Sequence, residues 1–527
     1  MTKIKKAFFS FLEFSHSLVK KIEESKTPFY YFLFFFLIIV SIRNFLENFP
    51  SDQSPISFNA HLHFYLFYVF VFSGALLLFT FFTKTKVVKS FKVFSLYFSV
   101  VLLGMIVDLI VYGFGGTSVS YIFLESFEDL KGSFLSFFGS FDDSETTLGI
   151  QLHLFIFIAL FVYYVFLKTR SVIKCLISGV VFYSFLFLAF ISPYLINFFD
   201  FEVESFHGRD IVFFFSILSS IFVTFLFYLS RKRTFLIAFK DIRFLRLGYF
   251  LLIFALGLAF GYKEFSISFY EIIMPALILS ISIVFAWSFS VITNNFADYE
   301  IDKVSNKKRP LFDDDISIEE YKTVALFSLL MSLISAAVVH YFAFFYCVLF
   351  IGIYFIYSMP PVRFKRVPVL SKLAISLNSF IVFVLGVHVF VMNVPYVSSN
   401  YIMDFVPERY ILFFLVFFTL AANFIDIKDY EGDKKEGIKT LPVLLGLERA
   451  KTVIALFFSL PYLYVAYIYP ETIPGCLLFI VINTFLIKRK NYRDGTLLFS
   501  CLLSILLFLF FHLNYLTPPF NLLDFFI

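Results

Sequence analysis

The chain has 527 residues, 60% of them hydrophobic and only 15% charged, with a mean hydropathy of +0.88. That balance excludes an ordinary soluble domain, in which about a quarter of the residues are charged. The net charge of +5 is small, so the placement of charge carries more information than its sum, and no nucleic-acid partner is expected.

Apolar runs of about 20 residues recur along the chain, each long enough to cross a hydrocarbon core of roughly 30 Å. Open sheet edges are not satisfied in lipid, and the runs are too long and continuous for barrel strands. The expected fold class is therefore an all-α integral membrane protein with about fifteen transmembrane helices. Lys3, Lys5, Lys6, Lys20, Lys21 and Lys26 precede the first run. No small-residue cleavage site follows it, so it reads as a retained anchor rather than a signal peptide. Six spans come first, at roughly 28–47, 61–82, 93–114, 148–167, 173–197 and 211–229. Nine follow, at roughly 247–262, 269–293, 321–339, 341–358, 370–392, 409–426, 452–469, 472–487 and 496–515. The basic segment 230–246 separates them. It divides the chain into an N-terminal membrane unit (1–235) of unknown function and a C-terminal unit (240–527).

The connecting charges alternate. Lys84, Lys86, Lys89 and Lys92, then Lys168, Arg170 and Lys174, then Arg231, Lys232, Arg233, Lys240 and Arg243 fall in every second loop. The loops between are acidic or neutral. The positive-inside rule then places the N-terminus in the cytoplasm of a multi-pass cell-membrane protein and the C-terminus outside. The 86 Phe residues read as lipid-compatible composition. The four cysteines have neither metal-ligand nor disulfide spacing. Asp108, Gln151 and His153 lie in or near apolar runs without a partner motif and read as helix–helix hydrogen-bonding groups.

Two acidic motifs carry the chemistry. Asn294, Asp298 and Asp302 recur at i, i+4 and i+8 where the second span of the C-terminal unit leaves the membrane. Asp426, Asp429 and Asp433 recur at i, i+3 and i+7 where the sixth does. Each set lies on one helix face, and the charge alternation puts both on the cytoplasmic side. Two such carboxylates about 6 Å apart repel by roughly 3 kcal/mol at an effective dielectric near 20. A divalent cation relieves that repulsion, and Mg²⁺ suits it, because it takes oxygen ligands and shares its shell with phosphates. A solvated helix end explains one such motif; two on one side, each closing an apolar span beside Lys and Arg, favour metal with diphosphate.

These residues resemble the UbiA prenyltransferases. Asn294-x-x-x-Asp298-x-x-x-Asp302, with Asn306, Arg309-Pro310 and Ile316-Ser317-x-x-Glu320, is similar to the first signature of that family. Asp429-Tyr-Glu-Gly-Asp433, with Gly437-Ile-Lys439-Thr-Leu-Pro442 and Gly446, is similar to the second. Tyr357-Ser-Met-Pro-Pro-Val-Arg363-Phe-Lys365 resembles the loop after the family's fourth helix. The resemblance covers roughly 240–515 and implies that the last nine spans form a UbiA-like helical bundle. It departs at Asn295, where many members have Asp, and at Pro361, where some carry Lys.

The resemblance implies transfer of a prenyl or polyprenyl group from its diphosphate to a lipophilic acceptor, with Mg²⁺ as cofactor. Asp298, Asp302, Asp429 and Asp433 would be catalytic, and with Asn294 and Asp426 would hold the metal. Lys307, Arg309, Arg363, Lys365 and Lys439 would bind diphosphate, with Tyr357 in the cavity wall. Tyr357 and Trp287 offer ring faces to a carbocation-like centre, although helix packing alone accounts for such residues. Expected partners are the prenyl diphosphate donor, the acceptor and membrane lipid; no protein partner of the first unit is assigned. Two alternatives stay open. One is phosphoribosyl transfer to a polyprenyl phosphate, which a His-Pro pair would favour; Val304-Ser-Asn306 stands in that stretch. The other is a non-enzymatic transporter or scaffold with cation-binding acidic clusters.

Overall fold

The structure is a computed structural model that describes residues 3–48, 58–113, 121–122, 124, 127–138, 146–198, 208–265, 269–299, 316–391 and 406–515. Among the described residues every regular element is helical. Fifteen helical segments among the described residues are long and apolar enough to cross a membrane. The chain divides into two compact units, Met1–Lys232 and Arg233–Ile527.

The first unit contains α1 (Lys3–Glu23), α2 (Phe29–Asn48), α3 (Phe58–Thr83), α4 (Val87–Tyr97), α5 (Val101–Tyr112), α6 (Phe127–Leu135), α7 (Leu148–Thr169), α8 (Val172–Phe190), α9 (Ser192–Phe198) and α10 (Gly208–Ser230). A single 3₁₀ turn, Phe98–Val100, joins α4 to α5 in one span. That span begins at Val87, earlier than the apolar pattern suggests. Lys89 and Lys92, read above as loop charges, therefore lie inside α4. Lys92 is buried, and its ammonium donates to the Ser25 carbonyl at 2.6 Å. Another span is shorter than expected, because α8 stops at Phe190 and Pro193 opens a separate helix.

Phenylalanine does more here than tolerate lipid. Phe79 stacks on Tyr164 at 4.0 Å and Phe161 on Phe182 at 4.2 Å, and all four rings are fully buried. Such pairs add about 0.5–1.5 kcal/mol beyond the area they bury. Asp108 accepts from Thr147 Oγ1 at 2.5 Å and from the Gly149 N–H at 2.8 Å. It thereby satisfies the first turn of α7, where a carboxylate also meets the positive end of the helix dipole.

The second unit contains α11 (Lys232–Lys240), α12 (Phe244–Phe265), α13 (Phe269–Ala297), α14 (Ile318–Val339), α15 (Tyr341–Ser358), α16 (Pro368–Val391), α17 (Glu408–Leu412), α18 (Thr419–Ala421), α19 (Ile425–Glu436), α20 (Leu441–Leu445), α21 (Leu447–Ile468), α22 (Ile473–Lys488) and α23 (Asp494–Tyr515). The central element is α16, in which every residue from Asn378 to Val391 is buried. It packs on α12 through Gly257 and Gly386. A Cβ at Gly257 would lie 2.1 Å from the Phe383 carbonyl oxygen, and one at Gly386 2.4 Å from that of Phe254. Only glycine allows the two backbones this approach.

The Ser317-x-x-Glu320 element has a local explanation. Ser317 accepts from the Glu320 N–H, and the Glu320 carboxylate accepts from the Ser317 N–H. This reciprocal capping box starts α14. The span from Glu408 is not a plain helix. It passes from α17 through a π-helical turn at Phe413–Phe418, then α18, then a 3₁₀ turn at Ala422–Phe424, before α19. Such insertions rotate the downstream residues about the helix axis, and they set the angle at which α19 presents its carboxylates.

Candidate active site

The end of α13 carries the first motif. Asn294 Nδ2 donates to Asp298 Oδ2 at 3.1 Å, and Ser358 Oγ at the end of α15 donates to Asn294 Oδ1 at 3.2 Å. Asp298 lies one residue beyond α13. Arg363 donates to its Oδ1 at 2.6 Å, and Lys365 closes on the same oxygen. Both cations come from the loop after α15, which turns at Arg363 with φ +47°. Asp302, Lys307 and Arg309 lie outside the described residues, as do Asn306 and Pro310.

The second motif lies on α19 with its helix intact across all three carboxylates. Asp426 is buried and paired through Oδ1 with Lys372 of α16. Asp429 is exposed. Asp433 Oδ2 accepts from Thr440 Oγ1 at 3.2 Å. Thr440 reaches back because Gly437 ends α19 at φ +71°, its N–H donating to the Asp433 carbonyl. The Gly437–Pro442 stretch is thus a helix stop that folds a hydroxyl onto the motif. Lys439 is exposed and stands off the wall that its neighbours Ile438 and Thr440 line.

Both motifs open into one cavity of 1510 Å³ within the second unit. Asn294, Asp298, Asp426, Asp429 and Asp433 line it, together with Arg363, Lys365 and Tyr357. Among the charged groups of the wall, Arg243, Arg246, Lys372 and Asp494 were not marked as site residues from the sequence. Asp494, at the start of α23, lies 3.2 Å from Lys428 and 4.0 Å from Arg246. Arg243 and Arg246 sit in the basic run between the units, where topology alone seemed to explain them. Lys372 had a usable signal, since a lysine inside an apolar span is a functional candidate by default.

Below the charged end the wall turns aromatic. Phe250 packs on Trp287 at 5.2 Å, Trp287 on Tyr354 at 5.5 Å and Tyr354 on Tyr357 at 6.1 Å. The Trp287 Nε1–H donates to the Ile242 carbonyl at 2.6 Å, which fixes the ring. Asn295 does not face this cavity. It is 1% exposed and donates to Tyr321 Oη at 3.0 Å and to Asp241. The departure from Asp at this position therefore removes nothing from the described wall.

Two buried polar atoms of the wall have no hydrogen-bond partner, Arg363 Nε and Asp426 Oδ2. Among the described residues no three His, Cys, Asp or Glu side chains converge as a ready-made metal site. The donors are nevertheless oxygens on two faces of one cavity, set among guanidinium and ammonium groups. That chemistry suits a hard cation shared with an anionic ligand rather than a closed protein cage.

The UbiA prenyltransferase family model matches residues 250–513. The chain belongs to the UbiA prenyltransferase family. It is an integral membrane prenyltransferase, and the family match leaves the first unit outside it. The digeranylgeranylglyceryl phosphate synthase of Methanobrevibacter smithii is 26% identical over 209 residues, 37% of this chain and 69% of that protein. The 2-acyl-4-prenylphloroglucinol 6-prenyltransferase of Humulus lupulus is 25% identical over 217 residues, 38% of this chain and 52% of its own. The homogentisate phytyltransferase of Synechocystis is 31% identical over 159 residues, 29% and 49% respectively. Among solved structures, a UbiA homolog from Archaeoglobus fulgidus bound to GPP and Mg²⁺ covers 52% of this chain and 98% of its own, at 23% identity and a TM-score of 0.41.

Proposed function

We propose that the second unit moves a prenyl group from its diphosphate to a lipophilic acceptor, with Mg²⁺ held between the two Asp motifs. The observation that carries this is the shared cavity: two acidic faces and a set of cations at one end, a continuous aromatic wall beyond. Asp298, Asp429 and Asp433, with Asn294 and Asp302, would hold the metal. Asp426 pairs with Lys372 through Oδ1 and keeps Oδ2 on the cavity wall as a further ligand.

Bound Mg²⁺ supplies charge neutralisation that makes diphosphate a better leaving group. The remaining work falls to the chain. Arg363, Lys365, Arg243 and Arg246 bind the phosphate oxygens and hold the allylic carbon over the aromatic wall. As the C–O bond breaks, its electron pair leaves with the diphosphate and positive charge grows on carbon. The faces of Trp287, Tyr354 and Tyr357 favour that charge by about 0.5–2 kcal/mol each. The apolar bundle excludes water that would capture it. The acceptor supplies the new bond's electrons and releases a proton.

The loop-charge alternation supports a cytoplasmic position for both motifs in the cell membrane. The relatives' names divide between a glyceryl phosphate and aromatic acceptors, and the Tyr357–Lys365 loop favours the lipid or quinone branches. The test is diphosphate release by the protein in nanodiscs, with geranyl, farnesyl and geranylgeranyl diphosphates against glycerol-phosphate and aromatic acceptors. Mg²⁺-dependent release is expected. No release with any pair, or full release by the Asp298→Ala, Asp429→Ala double variant, overturns the reading.

A further inference from the structure

The first unit begins with a helix that does not behave like a span. Along α1, Phe8, Phe11, Phe14 and Leu18 recur at intervals of three and four residues, so they form one stripe. All four are open to the surroundings, at 55%, 58%, 66% and 48% exposure. Lys6, Ser10, Glu13, Ser17 and Lys21 follow the same rhythm on a second stripe, turned about 120° round the helix from the first, and are exposed. A third, narrower face carries the buried Leu12 and Val19 and packs on α4.

The end of α1 is pinned. Buried Glu23 accepts from Tyr164 Oη at 2.6 Å and pairs with Lys168 at 2.5 Å. Phe11 stacks on Tyr163 at 6.2 Å. From Phe11 to Glu23 the chain advances about 18 Å along α1, while its contacts on α7 span Tyr163 to Lys168, about 8 Å. The helix therefore crosses α7 steeply instead of running alongside it. The crossing lies within roughly 9 Å of the end of α7 at Thr169, and Lys92, whose ammonium holds Ser25, lies in the first two turns of α4. So α1 lies across the unit at the level where its spans end.

A helix at that depth, with an aromatic stripe on one side and lysines on the other, matches the layering of a bilayer surface. Its charge agrees. Lys5, Lys6, Lys20, Lys21 and Lys26 are exposed against Glu13 and Glu24, while Glu23 is already paired. We propose that α1 is an in-plane helix that seats Phe8, Phe11, Phe14 and Leu18 among the acyl chains of an anionic leaflet and holds its headgroups with the flanking lysines. The ligand is the lipid surface itself, and the Glu23 pairing with Tyr164 and Lys168 ties that surface to the bundle.

The full chain in nanodiscs tests this with nitroxide labels at Phe14→Cys and, separately, Glu13→Cys, which lies farthest of the polar stripe from the apolar one. Three native cysteines are buried and Cys501 is half-buried, so they are removed or blocked first. Label at 14 is expected to collide mainly with lipid-dissolved oxygen, and label at 13 mainly with an aqueous nickel chelate. In a second arm, the Lys5, Lys6, Lys20, Lys21→Gln variant should retain less phosphatidylserine on purification from mixed vesicles than the parent chain. Aqueous accessibility at both positions overturns the proposal, since α1 then lies in water. Protection of position 14 from both reagents also overturns it, because a protein surface then covers the stripe. Equal phosphatidylserine retention by the two chains removes the anionic-lipid assignment.

Discussion

Lys372 of α16 and Asp426 of α19 form an ion pair inside the bundle, 54 residues apart in sequence and both almost fully buried. Lys372→Met leaves Asp426 charged and unpaired in a low-dielectric site, at a cost of about 3–5 kcal/mol. Thermal unfolding of the purified protein in detergent reads this. The double variant Lys372→Met, Asp426→Leu is expected to recover most of the loss, because replacing both partners removes the uncompensated charge. Equal losses in the single and double variants would contradict the pairing.

Asp298 is held by Arg363 and Lys365. Asp298→Ala removes a ligand of the proposed metal site and should lower kcat/KM by about 100-fold or more, roughly 2.7 kcal/mol. Arg363→Ala should instead raise the KM for the diphosphate donor, with a smaller effect on kcat. Chelation of Mg²⁺ should silence both variants and the parent alike. Steady-state kinetics at several Mg²⁺ concentrations separate these outcomes, and an Asp298→Ala chain with unchanged metal dependence counts against the assignment.

How far these relationships were legible depends on distance along the chain. Each span is one continuous apolar run, so the count of fifteen follows from local composition. The aspartate spacings are also local, and α19 keeps Asp426, Asp429 and Asp433 on one continuous helix. Partnerships are not local. Nothing near Asp426 points to Lys372, and nothing near Asn295 points to Tyr321 and Asp241. Arg243 and Arg246 carried a topology signal that hid a place in the wall. The π turn at Phe413–Phe418 has no sequence signature, and its packing partners, α16 and α21, are distant in the chain. Lys92 misled the span boundary because a charged residue near a helix start is scored as loop, while its ammonium in fact reaches a backbone carbonyl.

Asp494 joins Lys428 of α19 to Arg246 of α12. In the proposed function it acts as a positioning residue, since both cations lie on the cavity wall. Asp494→Asn should raise the donor KM by about tenfold, some 1.4 kcal/mol, and leave kcat within a few-fold. Asp494→Glu should restore part of the loss. A fall in kcat with KM unchanged would place Asp494 in the chemistry instead.

The aromatic wall yields the sharpest distinction between binding and chemistry. Tyr354 lies edge-on between Trp287 and Tyr357, its ring 5.5 Å from the first and 6.1 Å from the second. If its ring face stabilises charge on the allylic carbon, Tyr354→Phe keeps the quadrupole and should stay near parental kcat. Tyr354→Leu keeps an apolar side chain but loses the quadrupole, and should lower kcat by about 2- to 30-fold, the span set by 0.5–2 kcal/mol. Donor KM should hardly move in either variant, because the proposed function gives the ground-state diphosphate to Arg363 and Lys365 rather than to this ring. A packing role predicts a different pattern: both variants lose stability in proportion to the volume and contacts changed, and a Leu chain that folds well then turns over normally. Measuring kcat, KM and the unfolding midpoint on the same three preparations decides between them.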